Sequence, residues 1–354
     1  MNILITGVGG PTPRSFAIAL KKYGKDTDYH LIATDANPLA VGLYMPELFD
    51  AAYLIPKASE SGYWSAIEQL ITKHKIDIAV ILPEQEVMAW SKRKEKNTLP
   101  CKALIPDFSI ASQLLDKALM TELLSAENLV PKSFTIDSRE IIDNSNMQIP
   151  FPFWVRSASG SSGLGSLKVQ SLQELKNWIL INPTVNKFLA SEYLPGRNLA
   201  CKLLYFEGKL LRSAIAERVN YIMAKVAPSG ITGNTSFGRL LNDKKVFDVS
   251  EKAMEILFEK TGATKHGFFT VDLKEDEKGN PKITEINVRH VAFTQCFAAG
   301  GANLAEDTIR LLNEDTSFNK EFKLYQFEDG LIFLRDVDGV PVMMNEKDLI
   351  KNVL

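Results

Sequence analysis

The chain has 354 residues, 45% of them hydrophobic and 24% charged, enough apolar material for a large core divided among two or three lobes. Its 41 basic and 43 acidic residues leave a formal net charge of −2, which excludes the global basic field of a nucleic-acid binder or of a protein drawn to an anionic membrane. No apolar run reaches membrane-spanning length, and Cys101, Cys201 and Cys296 stand too far apart for a metal cluster and fit a reducing compartment. The expected partner is a small molecule and, with no leader-like segment ahead of the first strand, the expected location is the cytoplasm.

Asn2 to Thr6 reads as a short buried strand running into the turn Gly7 to Pro13, with an amphipathic helix from about Arg14. A second strand, His30 to Thr34, ends at Asp35, where a dinucleotide domain holds its ribose-binding acid. An NAD-dependent oxidoreductase is therefore one reading. The glycine fingerprint is partial, however, and a tight turn without a ligand is the other. Tyr63, Ile67, Leu70 and Ile71 trace a helix face, and Ile76 to Leu82 a buried strand ending at Pro83-Glu84-Gln85-Glu86. Alternating strands and helices predict a parallel sheet whose carboxyl rim carries Gly9, Gly10, Asp35 and Glu84. Glu84 and Glu86 are expected in a solvated loop, with substrate contact as the alternative.

Asp116 suits a helix N-cap ahead of the apolar positions Leu119, Met120, Leu123 and Leu124. Lys117 in the first turn opposes the helix dipole, which hints at an anionic ligand; an exposed surface lysine explains it equally. Phe151 to Val155 reads as a strand with Arg156 at its end. Gly160, Ser161, Ser162, Gly163 and Gly165 then form a loop before the strand Leu167 to Val169. Small residues allow backbone N–H groups to close on phosphate oxygens beside an arginine; a plain glycine hairpin is the other reading, and no Walker A sequence follows. Glu192 to Gly196 (EYLPG) and an FEGK hairpin come next. The strand at Ala216 precedes a long glycine- and serine-containing loop, with Glu217 and Arg218 either positioning substrate or forming a structural ion pair. Val246, Val249, Ala253, Ile256 and Leu257 mark a packed helix stripe.

Gly267 to His290 has the alternation of a hairpin around the turn-forming run Lys274 to Pro281. Phe269, Val271 and Leu273 share one face of its first strand and Thr270 and Asp272 the other. On the second strand Thr284, Ile286 and Val288 oppose Glu285, Asn287 and Arg289. In the obvious register two carboxylates and an amide oxygen converge beside a guanidinium. That is a Mg²⁺ site with a phosphate clamp, or else the wet face of a half-buried hairpin. His290 reads as a packed residue, Gly300 to Leu304 as the start of a helix, and the chain from about Ser317 as an added hairpin with DG turns.

The order of these motifs, from the glycine turn through Asp116-Lys117, FPFWVR with its glycine loop, EYLPG and EINVR, resembles the ATP-grasp superfamily. It is closest to the branch like one half of the large subunit of carbamoyl phosphate synthase, which includes small carboxylate–amine ligases. The resemblance implies an α/β (α+β) chain with the ATP-grasp fold: a Rossmann-like lobe over residues 1–109, a lid over 110–190, a catalytic subdomain over 191–316 and a hairpin extension over 317–354. It implies ATP between two sheets, with Lys117 and Arg156 on the phosphates under the loop Gly160, Ser161, Ser162 and Gly163. Glu192, Tyr193 and Leu194 would hold adenine. Asn198 stands where relatives often place a ribose-binding glutamate, and Asp272 where they often carry a longer acid. Asp272, Glu285 and Asn287 would bind Mg²⁺, with Mn²⁺ as a substitute, and Arg289, Arg156 and Lys117 would stabilise the transferring phosphoryl group. The implied activity is Mg²⁺- and ATP-dependent activation of a carboxylate as an acyl phosphate, attacked by an amine to release ADP and phosphate, in a homodimer. A nucleotide-binding module without turnover and the oxidoreductase are the rivals.

Overall fold

The computed structural model describes residues 1–25, 28–140, 142–143, 145, 147–160, 163–337 and 350–353. The chain opens with β1 (Asn2–Thr6), α1 (Pro11–Tyr23), β2 (His30–Asp35), β3 (Ala51–Leu54), α2 (Tyr63–His74), β4 (Ile78–Val80), α3 (Glu84–Glu95) and β5 (Lys102–Ala103). The five strands form a wholly parallel sheet in the order β3-β2-β1-β4-β5, buried on both faces as its apolar runs require. Helix α1 starts at Pro11 rather than Arg14. Proline is tolerated at a first helical position because the N–H it lacks has no partner there. The expected loop at Glu84 and Glu86 is instead the first turn of α3, where acidic side chains complement the helix dipole.

Helices α4 (Phe108–Leu115) and α5 (Lys117–Leu124) meet at Asp116, whose carboxylate caps α5 by accepting the Ala118 and Leu119 N–H groups. Leu119 is exposed rather than packed, and Lys117 is buried in its stead. Then come β6 (Ser133–Asp137), β7 (Phe153–Ser157), β8 (Leu167–Val169), α6 (Leu172–Ile181) and β9 (Lys187–Glu192). They make an antiparallel sheet, β6-β9-β7-β8, over a core of its own that includes Phe134, Phe153, Leu175 and Phe188. Strand β7 lies two residues beyond the expected stretch, past Pro152, which has no N–H for a ladder. Phe153 and Val155 therefore face this core, while Trp154 and Arg156 face the opposite way.

The remainder builds on β10 (Asn198–Phe206), β11 (Lys209–Tyr221), β12 (Thr235–Leu241), α7 (Lys244–Thr261), β13 (Gly267–Glu275), β14 (Pro281–Asn287), α8 (Thr294–Ala299), α9 (Leu304–Leu312), β15 (Lys323–Leu324) and β16 (Ile332–Leu334). Six of these strands run β14-β13-β10-β11-β12-β16, and β15 joins the edge of β11 ahead of β12. The FEGK turn closes β10 on β11 with positive φ at Glu207 and Gly208. Along α7 the burial falls on Val246, Phe247, Ala253, Met254, Leu257 and Phe258, with Val249 and Ile256 only partly covered. The C-terminal stretch differs from the expected hairpin: β15 runs parallel to β11 and β16 antiparallel to β12, so each completes an edge of the central sheet instead of pairing with the other. The Asp329-Gly330 turn is present, with Gly330 at φ 78°, and the second DG pair, Asp338-Gly339, lies outside the described residues. Among the described residues no helix is long and apolar enough to cross a membrane.

Candidate active site

The β13–β14 register sets Asp272 opposite Glu285 and Thr270 opposite Asn287, so these side chains share one face of the hairpin. On the other face Val271 meets Ile286 and Leu273 meets Ile283. This ladder contains a bulge: Thr284 is the extra residue between Ile283 and Glu285. Thr284 consequently leaves the core face expected for it, and Ile283 takes that place. Its hydroxyl donates to the Asp272 carbonyl at 3.1 Å and its own carbonyl accepts from Arg156.

The carboxylate of Asp272 is buried, which pushes its pKa up; Arg218 and Lys202 oppose this and Glu285 adds to it. Arg218 stands 3.2 Å from Asp272 Oδ1, and Asn287 Nδ2 lies 3.4 Å from Oδ2. Turning that amide about its last torsion presents its oxygen instead. Among the described residues no group of three His, Cys, Asp or Glu is placed to hold a metal, so the ligands on offer are two carboxylates and one amide oxygen. That all-oxygen, doubly anionic set fits Mg²⁺, which retains several waters and asks for few protein ligands.

Lys117 Nζ donates to the Gly160 carbonyl at 2.5 Å and stands 3.4 Å from Glu285, linking α5, the glycine loop and the hairpin. Gly160, Gly163 and Gly165 have φ of 88°, 74° and 63°, the left-handed backbone that glycine adopts without strain; Ser161 and Ser162 lie outside the described residues. Arg156, reaching across from β7, is half-buried with its Nε–H covered and unpartnered, and desolvation lowers its pKa. Arg289 donates to Glu84 Oε1 at 2.9 Å and its Nε–H is likewise buried and unpartnered. Two buried guanidinium donors on this site thus have no acceptor among the described residues.

At the other end, Glu192 Oε2 accepts the Lys132 N–H at 3.0 Å, and Lys168 covers the Tyr193 ring at 3.7 Å. Lys274 Nζ bonds the Gly196 carbonyl at 3.0 Å and lies 3.3 Å from Asn198 Oδ1. Arg197 is turned away into an ion pair with Glu275. Every residue of the expected nucleotide and metal set within the described chain lines one cavity of about 480 Å³ between the four-stranded and central sheets. Five cations, Lys117, Arg156, Arg218, Lys274 and Arg289, face three acids there, Glu192, Asp272 and Glu285. The excess suits a polyphosphate.

Some site residues are clear only in the structure. Arg218 belongs to the cavity, whereas Glu217 pairs with Arg239 at 2.9 Å and is structural. Lys274 was read as part of a turn. Lys202, fully buried, donates to Thr270 at 3.3 Å and lies 4.4 Å from the Phe293 ring centre, and burial pushes its amine down to about 7. Its signal was present: a lysine inside the apolar run Leu199 to Tyr205. His290 is packed as expected, stacked 3.5 Å from Phe268 and kept neutral by burial.

The glycine turn fills itself. Gly7 and Val8 donate to the Thr34 carbonyl, Gly9 to Asp35 Oδ2 and Gly10 to Gly7, and Pro11 has no N–H. Asp35 is also held by the Asn37 N–H. Neither the donors for a pyrophosphate nor the acid for a ribose are free, so the dinucleotide reading lacks its binding groups. Glu84 grips Arg289, and Glu86 is buried against the Tyr63 hydroxyl at 2.7 Å; neither is a solvated loop residue.

No family model matches the chain. A D-alanine–D-alanine ligase B of Clostridium perfringens is 26% identical over 223 residues, 60% of this chain and 71% of that one. Among solved structures, the L-amino acid ligase from Bacillus licheniformis superposes with a TM-score of 0.65 at 15% identity, covering 91% of this chain and 77% of the ligase. The biotin carboxylase domain dimer of Hydrogenobacter thermophilus 2-oxoglutarate carboxylase, in complex with MgADP, ADP and bicarbonate, gives 0.65 at 15% identity, covering 90% and 71%. With its parallel lobe, its two antiparallel sheets and the cavity between them, the chain has the fold of the ATP-grasp superfamily.

Proposed function

We propose that the chain is an ATP-dependent ligase that phosphorylates a carboxylate to an acyl phosphate and passes the acyl group to an amine. A carboxylate oxygen attacks the γ-phosphorus as its bond to the ADP oxygen breaks; the amine then attacks the acyl carbon and phosphate leaves. No covalent enzyme nucleophile is needed. The work is alignment of two anions and neutralisation of the charge that builds between them. Lys117 and Arg156 hold the phosphates beneath the glycine loop, with Arg156 supplying its unpartnered Nε–H. Arg289 faces the transferring group from the hairpin, restrained by Glu84. Adenine lies along Glu192, Tyr193 and Leu194, and the ribose near Asn198 and Lys274. Asp272, Glu285 and Asn287 hold Mg²⁺, for which Mn²⁺ substitutes; bound there, the ion supplies positive charge to the phosphoryl oxygens.

The observation that carries this reading is the meeting of Lys117, Arg156 and Arg289 with the Asp272–Glu285 pair in one cavity, with two guanidinium donors unpartnered. The ligase names of the relative and of the first structural neighbour support the same chemistry, and MgADP in the second supports the nucleotide and metal. We assign the lid to residues 110–190 and the catalytic subdomain to 191–316, and infer a cytoplasmic homodimer. The test is phosphate release from Mg²⁺-ATP against pools of carboxylic acids and amines, with pyrophosphate assayed alongside. Phosphate without pyrophosphate, dependent on one pool and abolished by Glu285→Ala with the fold intact, is the expected result. Unchanged turnover in Glu285→Ala would remove that residue from the metal site.

A further inference from the structure

Four arginines stand where the cavity runs past the metal-ligand hairpin toward α1, Arg218 and Arg289 in its wall and Arg14 and Arg335 beside lining segments, and among the described residues the last two form no ion pair. Arg218 is paired with Asp272 and Arg289 with Glu84. Arg218 and Arg335 grip the same short segment from two sides. Arg218 bonds Thr235 Oγ1 at 2.9 Å and the Gly233 carbonyl at 2.6 Å; Arg335 bonds Asn234 Oδ1 and the Thr235 carbonyl, both at 2.9 Å. Gly233 and Asn234 line the cavity. Arg14 comes from the other wall, in the first turn of α1 beside the lining residues Pro11 and Thr12, with its Nε–H on the Gly10 carbonyl at 3.2 Å. Helix α1 is fastened to α8 through Ser15, whose hydroxyl accepts the Gln295 N–H, and Phe293, two residues earlier, stacks 5.6 Å from Phe333, two residues before Arg335. Burial lowers the Arg335 pKa, and the charges of Arg14 and Arg218 lower it further, so these guanidinia lie within repelling range of Arg335.

Among the described residues neither Arg14 nor Arg335 forms an ion pair; both donate instead to carbonyls and one amide oxygen. Gathering half-buried guanidinia without carboxylates is unfavourable for the protein alone and favourable once an anion lies between them. Guanidinium forks bind carboxylate or phosphate oxygens in pairs, which a stray surface cation does not require. We propose that the acid taken by this ligase carries a second anionic group, a carboxylate or a phosphate, bound between Arg14 and Arg335 while its reacting carboxylate faces Arg218 and Arg289. The proposal rests on the ligase reading for the reacting end and on the arginine cluster for the other.

Calorimetric titration of the full-length protein, held with Mg²⁺-ADP, tests it without turnover. The probes are succinate, glutarate and adipate, each against the monocarboxylate of equal length, and 3-phosphoglycerate against glycerate. The expected result is tighter binding of at least one dianion by roughly tenfold or more, lost in Arg14→Gln and in Arg335→Gln, with Mg²⁺-ADP affinity unchanged. Preference for a dicarboxylate identifies a second carboxylate, and preference for the phosphorylated acid identifies a phosphate. Equal binding of dianions and monoanions overturns the proposal. So does an Arg14→Gln variant that weakens both classes alike or neither, since Arg14 does not brace the Gly233–Thr235 segment and its loss reports on the anion alone. In the phosphate-release assay, silence with every acid sinks the ligase reading but leaves the titration interpretable. Turnover of a monocarboxylate, indifferent to both variants, sinks only the second-anion site.

Discussion

Glu86 shows how far a single side chain departs from its sequence context. It sits one turn into α3, yet its carboxyl is buried and accepts from Tyr63, whose oxygen in turn accepts the Trp90 indole N–H at 2.9 Å. Burial raises its pKa from 4.5 to about 7. Below pH 4.5 the carboxyl is protonated in folded and unfolded chains alike; between there and about 7 only the folded chain keeps the proton. Stability from this residue is therefore complete below the lower value and lost as pH rises through the upper one, by roughly 3 kcal/mol. Glu86→Gln keeps an acceptor for Tyr63 and removes the titration. The difference in urea-unfolding free energy between variant and parent should move in favour of the variant by most of that amount between pH 4.5 and pH 8; a difference flat with pH would show that Glu86 is ionised in the folded chain throughout.

At the scale of elements, two glycines fix how strands and loops meet. A Cβ on Gly238 in β12 would lie 2.3 Å from the Phe333 ring and 2.6 Å from the Glu217 carbonyl. Gly238→Ala should therefore push β16 off the central sheet and cost about 1–3 kcal/mol in denaturant unfolding. An unchanged midpoint would mean that β16 adds nothing to the sheet's stability. Gly163 in the loop between β7 and β8 has φ 74°, and a Cβ there would meet the Ile231 carbonyl at 2.7 Å. The glycine loop and the loop before β12 thus close the cavity together. Gly163→Ala should raise the KM for ATP severalfold with little change in overall stability, because the strain, about 1–2 kcal/mol, falls on the backbone that we propose covers the phosphates. An unaltered KM would separate this loop from nucleotide binding.

The molecule as a whole is joined unevenly. One apolar core runs from Leu4 and Ile32 of the parallel sheet through Met120 of α5 to Phe269 and Ile286 of the hairpin, so the parallel lobe and central sheet share their burial. The four-stranded sheet keeps a separate core. Cooperative units follow shared burial. Amides of β6 to β9 should exchange with solvent through a lower-energy opening than those of β1, β2, β10 and β13, and Mg²⁺-ATP should slow them selectively by bridging Arg156 and Lys117 to the hairpin. Uniform protection across all three sheets, with or without nucleotide, would contradict this division. The ion pair of Arg289 with Glu84 is the polar counterpart of the shared core, tying the hairpin's arginine to the parallel lobe across 205 residues of chain.

What the sequence determined by itself is what periodicity and backbone chemistry dictate. The alternation in Gly267 to His290 put Asp272, Glu285 and Asn287 on one face, Asp116 capped its helix, and the glycines between β7 and β8 took the left-handed backbone that only they adopt readily. The order of those motifs was enough to imply the fold. What only the tertiary structure decided concerns residues whose partners lie far along the chain. The bulge at Thr284, which exchanges its core position with Ile283, depends on pairing with β13. Glu84 looked like a loop acid until Arg289 was beside it, and Asp35 looked ready for a ribose until the Gly9 N–H had claimed it. Lys202, Arg218 and Arg335 take their environment from strands and rings that no local window contains. Local geometry is set by short-range sterics and hydrogen bonding, whereas burial and charge pairing are set by whichever segment folds against a residue. Much of this site's chemistry is of the second kind.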